Sequence, residues 1–223
     1  MTLAQTFNAS VAEAAFIADI TDRDVNRVVD EAILPEALFA QGLPRARRFP
    51  ALACALASFY FQEEDLLTKS ARQRVIESFV YRSIKLANFE KLLYLNVSIG
   101  SFDWEVTLDN LKIELATYAT QAKQRLESVL EAESMVISNT EIMAGEPVFM
   151  GTRVPVRTIA AWVDSGIPAE EIQRAYPSVT SDMLRIAPIY VKTNPRRGRP
   201  PNFGEANKNW TLKKTTRVKL ASS

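Results

Sequence analysis

Arginine and asparagine side chains recur near the start of the chain at a spacing that suits contact with DNA. Arg23 and Arg27 lie four residues apart, and Asn26 lies beside them on the same helical face. These side chains make bidentate hydrogen bonds to guanine and adenine edges when a recognition helix enters the major groove. A helical hairpin with a solvated face is the alternative, because four carboxylates on or beside this helix repel phosphate: Asp22, Asp24, Asp30 and Glu31.

A second group of arginines is predicted to lie in a loop. The turn Gly42-Leu43-Pro44 leads to Arg45, Arg47 and Arg48, which suit phosphate contacts from a small β wing. The helix and the wing together give the predicted DNA-binding residues, which are Arg23, Asn26, Arg27, Arg45, Arg47 and Arg48.

The end of the chain is strongly basic. Residues 192–223 carry nine Lys and Arg residues and one acidic residue, a charge of +8, which leaves −7 for residues 1–191. Such asymmetry is typical of an arm that binds an anionic partner. Two aromatic anchors, and an alternation of apolar and basic residues over 216–220, favour capture of a protein through a strand that extends its sheet. The predicted residues of this interface are Arg196, Arg197, Arg199, Phe203, Trp210, Lys213 and Arg217.

Other uses of this arm stay open. Pro188 and Pro195 are expected to stop regular helix, so that the arm should be extended from there. The stretch Arg197-Gly198-Arg199-Pro200 is similar to the core of an AT-hook, which inserts its guanidinium groups into a narrow minor groove. A basic tail can also serve only to keep a protein soluble.

Few residues offer the chemistry of an enzyme. The chain has no histidine, which removes the commonest general base and the commonest metal ligand. Its single cysteine, Cys54, lies in an Ala-Leu run and is expected in the core rather than as a nucleophile. The carboxylates are spread along helical faces. We therefore expect a non-catalytic protein with no cofactor and no metal site.

Composition indicates a folded protein. Of its 223 residues, 47% are hydrophobic and 24% are charged, as in ordinary globular domains. The longest apolar run, residues 51–61, is too short to span a bilayer, and no secretion signal is visible at the N-terminus. We therefore expect a cytoplasmic protein that does not contact a membrane.

Helical signals position the first group of arginines. The capping box from Ser10 to Glu13 predicts a short helix, and Thr21 is placed to cap a second helix. Two short helices joined by a tight turn predict a helix-turn-helix. Residues 50–61 and 70–93 are then predicted as buried helices, because their apolar residues recur at helical intervals.

The middle of the chain changes period. Apolar residues alternate over 95–99 and 102–106 with Gly100-Ser101 between them, which predicts a β-hairpin. Asp109 is placed to cap a long helix that reaches Glu133. The apolar stripe of this helix predicts a link between two domains or a dimer contact.

Short strands and three helices are predicted for residues 135–192. The helices are expected over 156–165, over 168–175, and from Thr180 or Ser181 towards Tyr190. The turn from Gly151 to Arg153 is expected to be fixed by the Arg153 guanidinium, bonded to backbone carbonyls.

This last region carries a resemblance. The string Gly145-Glu-Pro-Val-Phe-Met-Gly-Thr-Arg-Val-Pro155, followed by Val163-Asp-Ser-Gly-Ile-Pro-Ala-Glu-Glu-Ile172 and Ala175-Tyr-Pro-Ser-Val-Thr180, resembles a small prokaryotic domain family found in many type II antitoxins. Residues 10–61 resemble the MerR-like helix-turn-helix domain that precedes it in a longer branch of VapB-type antitoxins.

The resemblance implies an antitoxin that neutralises a toxin encoded beside it and binds its own operator. A homodimer, or a larger complex with the toxin, is expected. If the toxin is a PIN-like ribonuclease, a cation from the arm would replace the charge of its Mg²⁺, and the candidates are Arg196, Arg197, Arg199 and Lys213. A stand-alone transcription regulator needs no toxin, and an interaction adaptor needs no DNA; both remain alternatives.

The predicted fold is mainly α with minor β. It comprises a winged helix-turn-helix over residues 1–64, a helical linker or dimerisation region with a hairpin over 65–134, a three-helix domain resembling a helix-turn-helix over 135–192, and an extended basic tail over 193–223.

Overall fold

The computed structural model describes residues 6–39 and 47–196. It is mainly helical, with two small antiparallel hairpins, which confirms the predicted mainly α class. None of the helices in these two ranges is long and apolar enough to cross a membrane. In chain order the helices are α1 (Val11–Ala18), α2 (Asp22–Asp30), α3 (Ala51–Gln62), α4 (Lys69–Ser83), α5 (Phe89–Leu93), α6 (Ala116–Ser134), α7 (Val156–Asp164), α8 (Ala169–Ala175) and α9 (Ser181–Thr193), and the strands are β1 (Glu105–Leu108), β2 (Leu111–Glu114), β3 (Val136–Ile137) and β4 (Val148–Phe149).

Side-chain caps define the first two helices. Glu13 accepts the Ser10 amide at 2.6 Å and Ser10 accepts the Glu13 amide, which confirms the capping box at the start of α1. Thr21 caps α2 by accepting the Asp24 amide at 3.1 Å. Between the helices, Asp19 adopts a left-handed backbone with a φ of 56°, which ends α1 and turns the chain.

Helix α3 runs through the middle of the larger of two cores. Ten of its twelve residues are buried, because it is apolar on every side and packs against α1 and α6. This core contains buried residues from Ala9 to Val129, and within it the rings of Phe79 and Trp104 stack with centroids 5.3 Å apart. One core therefore joins residues on both sides of the domain boundary expected after residue 64.

The helix predicted over residues 70–93 is in fact two helices, α4 and α5. The Ser83 hydroxyl donates to the Phe79 carbonyl at 2.7 Å, in the last turn of α4. Such back-bonding competes with the backbone hydrogen bonds of a helix. Asn88, just before α5, has a φ of −105° and a ψ of 21°, outside the helical region. The prediction of a single helix was wrong because apolar spacing alone does not register these local interruptions.

The central hairpin lies later in the chain than predicted. Strands β1 and β2 are joined by the turn Asp109-Asn110, and Asp109 has a φ of 53°, so it belongs to the turn and does not cap α6. Residues 99–101 form a 3₁₀ turn. The Trp104 indole N–H donates a hydrogen bond to the Ile99 carbonyl of this turn at 2.9 Å. Because the Trp104 ring is buried in the core, this hydrogen bond holds the turn against the core. Residues 95–99 therefore do not form the predicted strand, and their alternation arises because single apolar residues among them are buried.

The C-terminal unit has the three helices predicted for it. Helices α7, α8 and α9 enclose a second core that also contains Phe149 of β4 and Ala132 of α6. Thr180 caps α9 by accepting the Met183 amide at 3.3 Å, and Gly166 ends α7 with a φ of 73°. Helix α9 packs on both α6 and α7, so that α6 joins the two cores.

Pro188 does not stop α9, contrary to the prediction. The helix continues through it to Thr193. Proline lacks an amide hydrogen and so removes one helical hydrogen bond. The buried residues on both sides, among them Ile186, Ala187 and Tyr190, stabilise the helix through tertiary packing. Helix α9 therefore ends at Thr193, with Asn194 as its C-cap.

Candidate functional site

The exposed face of α2 carries the first predicted DNA-binding residues. Arg27 donates to Glu31 at 2.7 Å and to Asp24 at 3.1 Å, and its guanidinium lies 5.2 Å from the centre of the Phe61 ring. The hydrogen bond to Glu31 is the main cause of a raised pKa for Arg27. Arg23 is exposed and has no ion-pair partner in the described part of the chain. Arg27 is thus held by two carboxylates, and Arg23 alone of the two arginines projects freely.

Asn26 and Arg47 contact each other, although they are far apart in sequence. Arg47 donates to the Asn26 side-chain oxygen at 2.7 Å and to Asp30 at 2.7 Å. The Asn26 amide group in turn donates to the Asp22 carbonyl at 2.8 Å. The structure therefore brings two predicted DNA-binding residues together, but the polar side-chain atoms of both form hydrogen bonds within the protein. A base contact from Asn26 requires these bonds to break.

A cleft of about 710 Å³ lies between the beginning of α1 and the end of α9. Four of the described arginines line it. Arg47 and Arg48 precede α3, and Arg157 and Arg196 belong to the C-terminal unit. Asp22 is the one carboxylate residue among the described residues that line it. The cleft is therefore a meeting point of positive charge from both units.

Glu146 is the carboxylate that holds two of these arginines. Arg196 donates to its two oxygens at 2.9 and 3.0 Å, and Arg157 Nε lies 3.6 Å from the nearer one. Arg157 also donates to the Asn194 carbonyl at 2.7 Å, and the Asn194 amide group donates to Glu133 at 2.6 Å. The end of α9 is thereby fixed to both α6 and α7. The basic C-terminal segment begins from this fixed point.

Arg48 and the first turn of α1 form the opposite wall. Arg48 donates to the Asn8 carbonyl at 3.4 Å and has no carboxylate partner among the described residues. Val11 and Ala12 line the same wall. As the first two residues of α1, they have no acceptor for their amide hydrogens within the helix. The cleft is therefore lined here by a guanidinium and by the first turn of a helix, both of which favour an anion.

The loop from Gly151 to Arg153 is fixed differently from the prediction. The Arg153 side chain is exposed and forms no hydrogen bond in the described ranges, so its expected role in bonding backbone carbonyls is wrong. Thr152 fixes the loop instead: its hydroxyl donates to the Phe149 carbonyl at 2.9 Å and accepts the Val154 amide at 3.0 Å. A short hydroxyl reaches these neighbouring backbone groups more readily than a long guanidinium does.

Burial controls the ionisation of two side chains. Cys54 is buried within α3, as predicted, and desolvation raises its pKa to about 12, so that it stays a thiol. Tyr190 borders the cleft, and burial together with the Glu133 carboxylate raises its pKa. Tyr190 is therefore a neutral phenol near pH 7, and it adds no negative charge to the cleft.

Several predicted site residues lie outside the described residues. They are Arg45 with the Gly42-Leu43-Pro44 turn of the wing, and Arg197, Arg199, Phe203, Trp210, Lys213 and Arg217 of the tail. Among the described residues, no group of three or more Cys, Asp or Glu side chains is arranged to hold a metal ion.

Sequence reasoning missed Arg157, which lines the cleft, and its carboxylate partner Glu146. Both lie in or directly after the motif that carries the resemblance, but periodicity gave no reason to pair them. Glu146 precedes β4 and Arg157 is the second residue of α7. Glu146 and Arg157 come close because the loop between β4 and α7 folds back. Within this loop the Phe149 amide donates to the Val154 carbonyl at 3.1 Å. The first-turn position of Arg157 beside a Gly-Thr-Arg loop was the available signal.

Comparison with known proteins gives two similarities. Residues 136–191 match the family described as "Protein of unknown function (DUF433)", which coincides with the C-terminal unit of the structure. The chain is also 38% identical, over 196 residues, to "Uncharacterized protein y4eO" of Sinorhizobium fredii (strain NBRC 101917 / NGR234). That alignment covers 86% of this chain and 84% of the Sinorhizobium protein. No solved structure matches the chain.

Proposed function

This chain belongs to the same family as the Sinorhizobium fredii protein y4eO and contains a DUF433 domain, and we propose that it is an antitoxin of a type II toxin-antitoxin system. In this proposal it neutralises a toxin encoded beside it, of the PIN-like ribonuclease class, through its C-terminal region. It also binds its own operator and so regulates its own expression. No catalytic step of its own is involved.

The observation that carries the proposal is the fixed origin of the basic C-terminal segment. Asn194 is bonded to both Arg157 and Glu133, and Arg196 is bonded to Glu146, so the chain leaves the body at a defined place. From there, residues 197–223 add seven Lys and Arg residues and one acidic residue. A segment with this excess of positive charge suits the capture of a partner whose active site is rich in carboxylates.

Inhibition in this scheme needs only charge and position. The Mg²⁺ of a carboxylate-rich nuclease is held by oxygen ligands that repel one another when the metal is absent. An inserted guanidinium or ammonium group compensates the same negative charge and excludes the metal. The proposed inserting residues are Arg196, Arg197, Arg199 and Lys213, with Phe203, Trp210 and Arg217 supporting the contact.

Co-expression with the adjacent open reading frame tests the toxin-binding half. We expect the neighbour alone to arrest growth and the full chain to restore it. Deletion of residues 197–223, which keeps Asn194 and Arg196 in place, should abolish the rescue while the truncated protein stays folded by circular dichroism. Rescue by the truncated chain, or a neighbour that is harmless when expressed alone, would refute this half.

A stand-alone transcription regulator is the second candidate, favoured by the capped pair of helices α1 and α2 near the N-terminus. It shares operator binding with the first proposal and dispenses with the toxin. In both, Arg23 is the side chain of α2 that is free to reach a base, whereas Arg27 must first leave its carboxylates. A gel shift with the upstream sequence should weaken for Arg23→Ala. Unchanged operator affinity would exclude α2 as the reading element.

A further inference from the structure

The arginine cleft between α1 and α9 shares Arg196 with the tail-based capture of a toxin described above, but Arg47, Arg48 and Arg157 have no role in that capture. It adjoins α2 through Asp22 and Arg47, but Arg27 does not line it. Arg27 on the exposed face of α2 is paired with two carboxylates, whereas Arg48 in the cleft has no carboxylate partner among the described residues. The cleft must therefore be considered as a binding site in its own right.

We propose that this cleft binds the phosphate groups of a nucleic-acid backbone, and that Glu146 acts as an internal counter-ion which the phosphate displaces. This inference deepens the operator-binding half of the proposed function, on which it rests for the identity of the nucleic acid. The binding of phosphate itself requires neither the toxin nor a particular base sequence.

The donors that line the cleft suit phosphate. Guanidinium groups match phosphate oxygens in a bidentate geometry, and helix N-terminal amides are common phosphate donors. Here Arg48 stands on the wall that contains the Val11 and Ala12 amides, and Arg157 and Arg196 stand on the other. Donors thus converge on the cleft from two units of the molecule. A phosphate between them would replace Glu146 as the shared partner of Arg157 and Arg196.

A polymer backbone fits this site better than a single small anion. The cleft is open, its volume of about 710 Å³ exceeds the size of one phosphate, and its arginines are distributed over two walls. Arg196, at its edge, directly precedes a segment with seven further basic residues. Guanidinium groups at several points of one open cleft can each meet a different phosphate of the same strand.

Glu146 gives the proposal its sharpest variant. Glu146→Gln keeps the size of the side chain and removes the negative charge beside Arg157 and Arg196. Under the proposal it strengthens binding of a labelled 20-base-pair duplex of arbitrary sequence several-fold. The matched control is Glu105→Gln, because Glu105 is also an ion-paired carboxylate, 3.0 Å from Lys112, but lies in the central hairpin. This control should leave the affinity unchanged.

Arg48→Ala tests the opposite wall. It should weaken duplex binding several-fold and reduce the slope of log affinity against log salt by about one, as expected for loss of one phosphate contact. Arg82→Ala is its control, since Arg82 is a surface arginine of α4 paired with Asp103. The full chain is used throughout, so that the basic C-terminal segment contributes equally to every variant.

Nuclear magnetic resonance locates the bound anion. The protein is titrated with inorganic phosphate and, separately, with the duplex. The amide signals of Val11 and Ala12 should shift in the wild-type protein, and in Glu146→Gln they should shift at a lower concentration of the added anion. Shifts with phosphate but not with duplex would mean a small-anion site and would overturn the backbone assignment.

Two further outcomes contradict the proposal. If neither anion moves these amides and the Glu146 and Arg48 variants bind the duplex like their controls, the arginines serve only to join the two units. If the amides move only on addition of the co-expressed toxin, the cleft is a protein-docking surface. Because duplex binding is measured without toxin, failure here leaves the rescue experiment standing, and failure of the rescue leaves this result standing.

Discussion

The face of α2 and the cleft between α1 and α9 hold similar sets of arginines but differ in the carboxylates beside them. On α2, Arg27 has two carboxylate partners, and Arg47, which also lines the cleft, is paired with Asp30 of α2. In the cleft, Arg157 and Arg196 share the single carboxylate of Glu146. A count of arginines along the sequence therefore does not show which of them have carboxylate partners; their neighbours in space do.

The two regions also differ in what holds their arginines in place. The Arg27 contacts on α2 are between side chains of neighbouring helical turns, and ion pairs of this kind near the surface contribute little to stability. In the cleft, Arg157 donates to a backbone carbonyl beyond the end of α9 and only about a fifth of its side chain is exposed. The cleft therefore depends on the packing of the C-terminal unit, whereas the α2 pairs depend mainly on the helix that carries them. This difference leads to three predictions.

The largest effect is expected from Phe149→Ala. Phe149 is fully buried in the C-terminal core and anchors β4, three residues after Glu146. Loss of a buried phenylalanine typically lowers the free energy of unfolding by about 3–5 kcal/mol. Urea denaturation measures the loss, and hydrogen exchange should show lower protection over residues 136–193. Protection over residues 22–30 of α2 should change least, and an equal loss in both regions would contradict the separation of the two arginine groups.

An intermediate effect is expected when one arginine of each group is removed. Arg157→Ala leaves the Asn194 carbonyl without its donor and should lower the free energy of unfolding by about 1–3 kcal/mol. Arg27→Ala removes exposed ion pairs and should cost less than about 1 kcal/mol. Parallel urea denaturation of the two variants decides the matter. Equal losses, or a larger loss for Arg27→Ala, would show that the cleft arginine is not the more structural of the two.

The smallest effect concerns the ionisation of Glu31. The hydrogen bond from Arg27 holds the pKa of Glu31 below its ordinary value of 4.5. Because the folded-state pKa is lowered, the stabilising contribution is present above the unfolded-state pKa and is lost as the pH falls through the folded-state pKa. A carbon-detected pH titration of the carboxyl group should show the lowered pKa, and Arg27→Ala should move it back towards 4.5. No movement would mean that the α2 pair does not persist in solution.

Much of the helical framework followed from short-range sequence signals. Ser10 and Thr21 were predicted as caps from their types and positions, and each accepts the expected amide; of the two candidates Thr180 and Ser181, the structure shows Thr180 as the cap. Capping is a contact over three residues, so the sequence contains both partners. The burial of Cys54 in an apolar run followed in the same way, because α3 has no polar face to expose.

Predictions failed where tertiary packing overrode local pattern. The alternation over residues 95–99 resembled a strand, but Trp104 and Phe79 draw this part of the chain into a turn on the core. Pro188 resembled a helix stop, but buried neighbours carry α9 past it. In each case many weak contacts from distant residues outweighed one local preference, which is worth about 1–3 kcal/mol.

By itself, the sequence determined the helical class, the caps, the three helices of the C-terminal unit and the concentration of positive charge after residue 191, because each depends on neighbouring residues or on composition alone. Only the tertiary structure decided which charges meet. It paired Arg47 with Asp30 and Arg196 with Glu146, which are 17 and 50 residues apart. Electrostatic attraction depends on distance in space and not on separation along the chain. Arg27 is therefore neutralised by two carboxylates on α2, whereas Arg157 and Arg196 share one carboxylate beside the cleft.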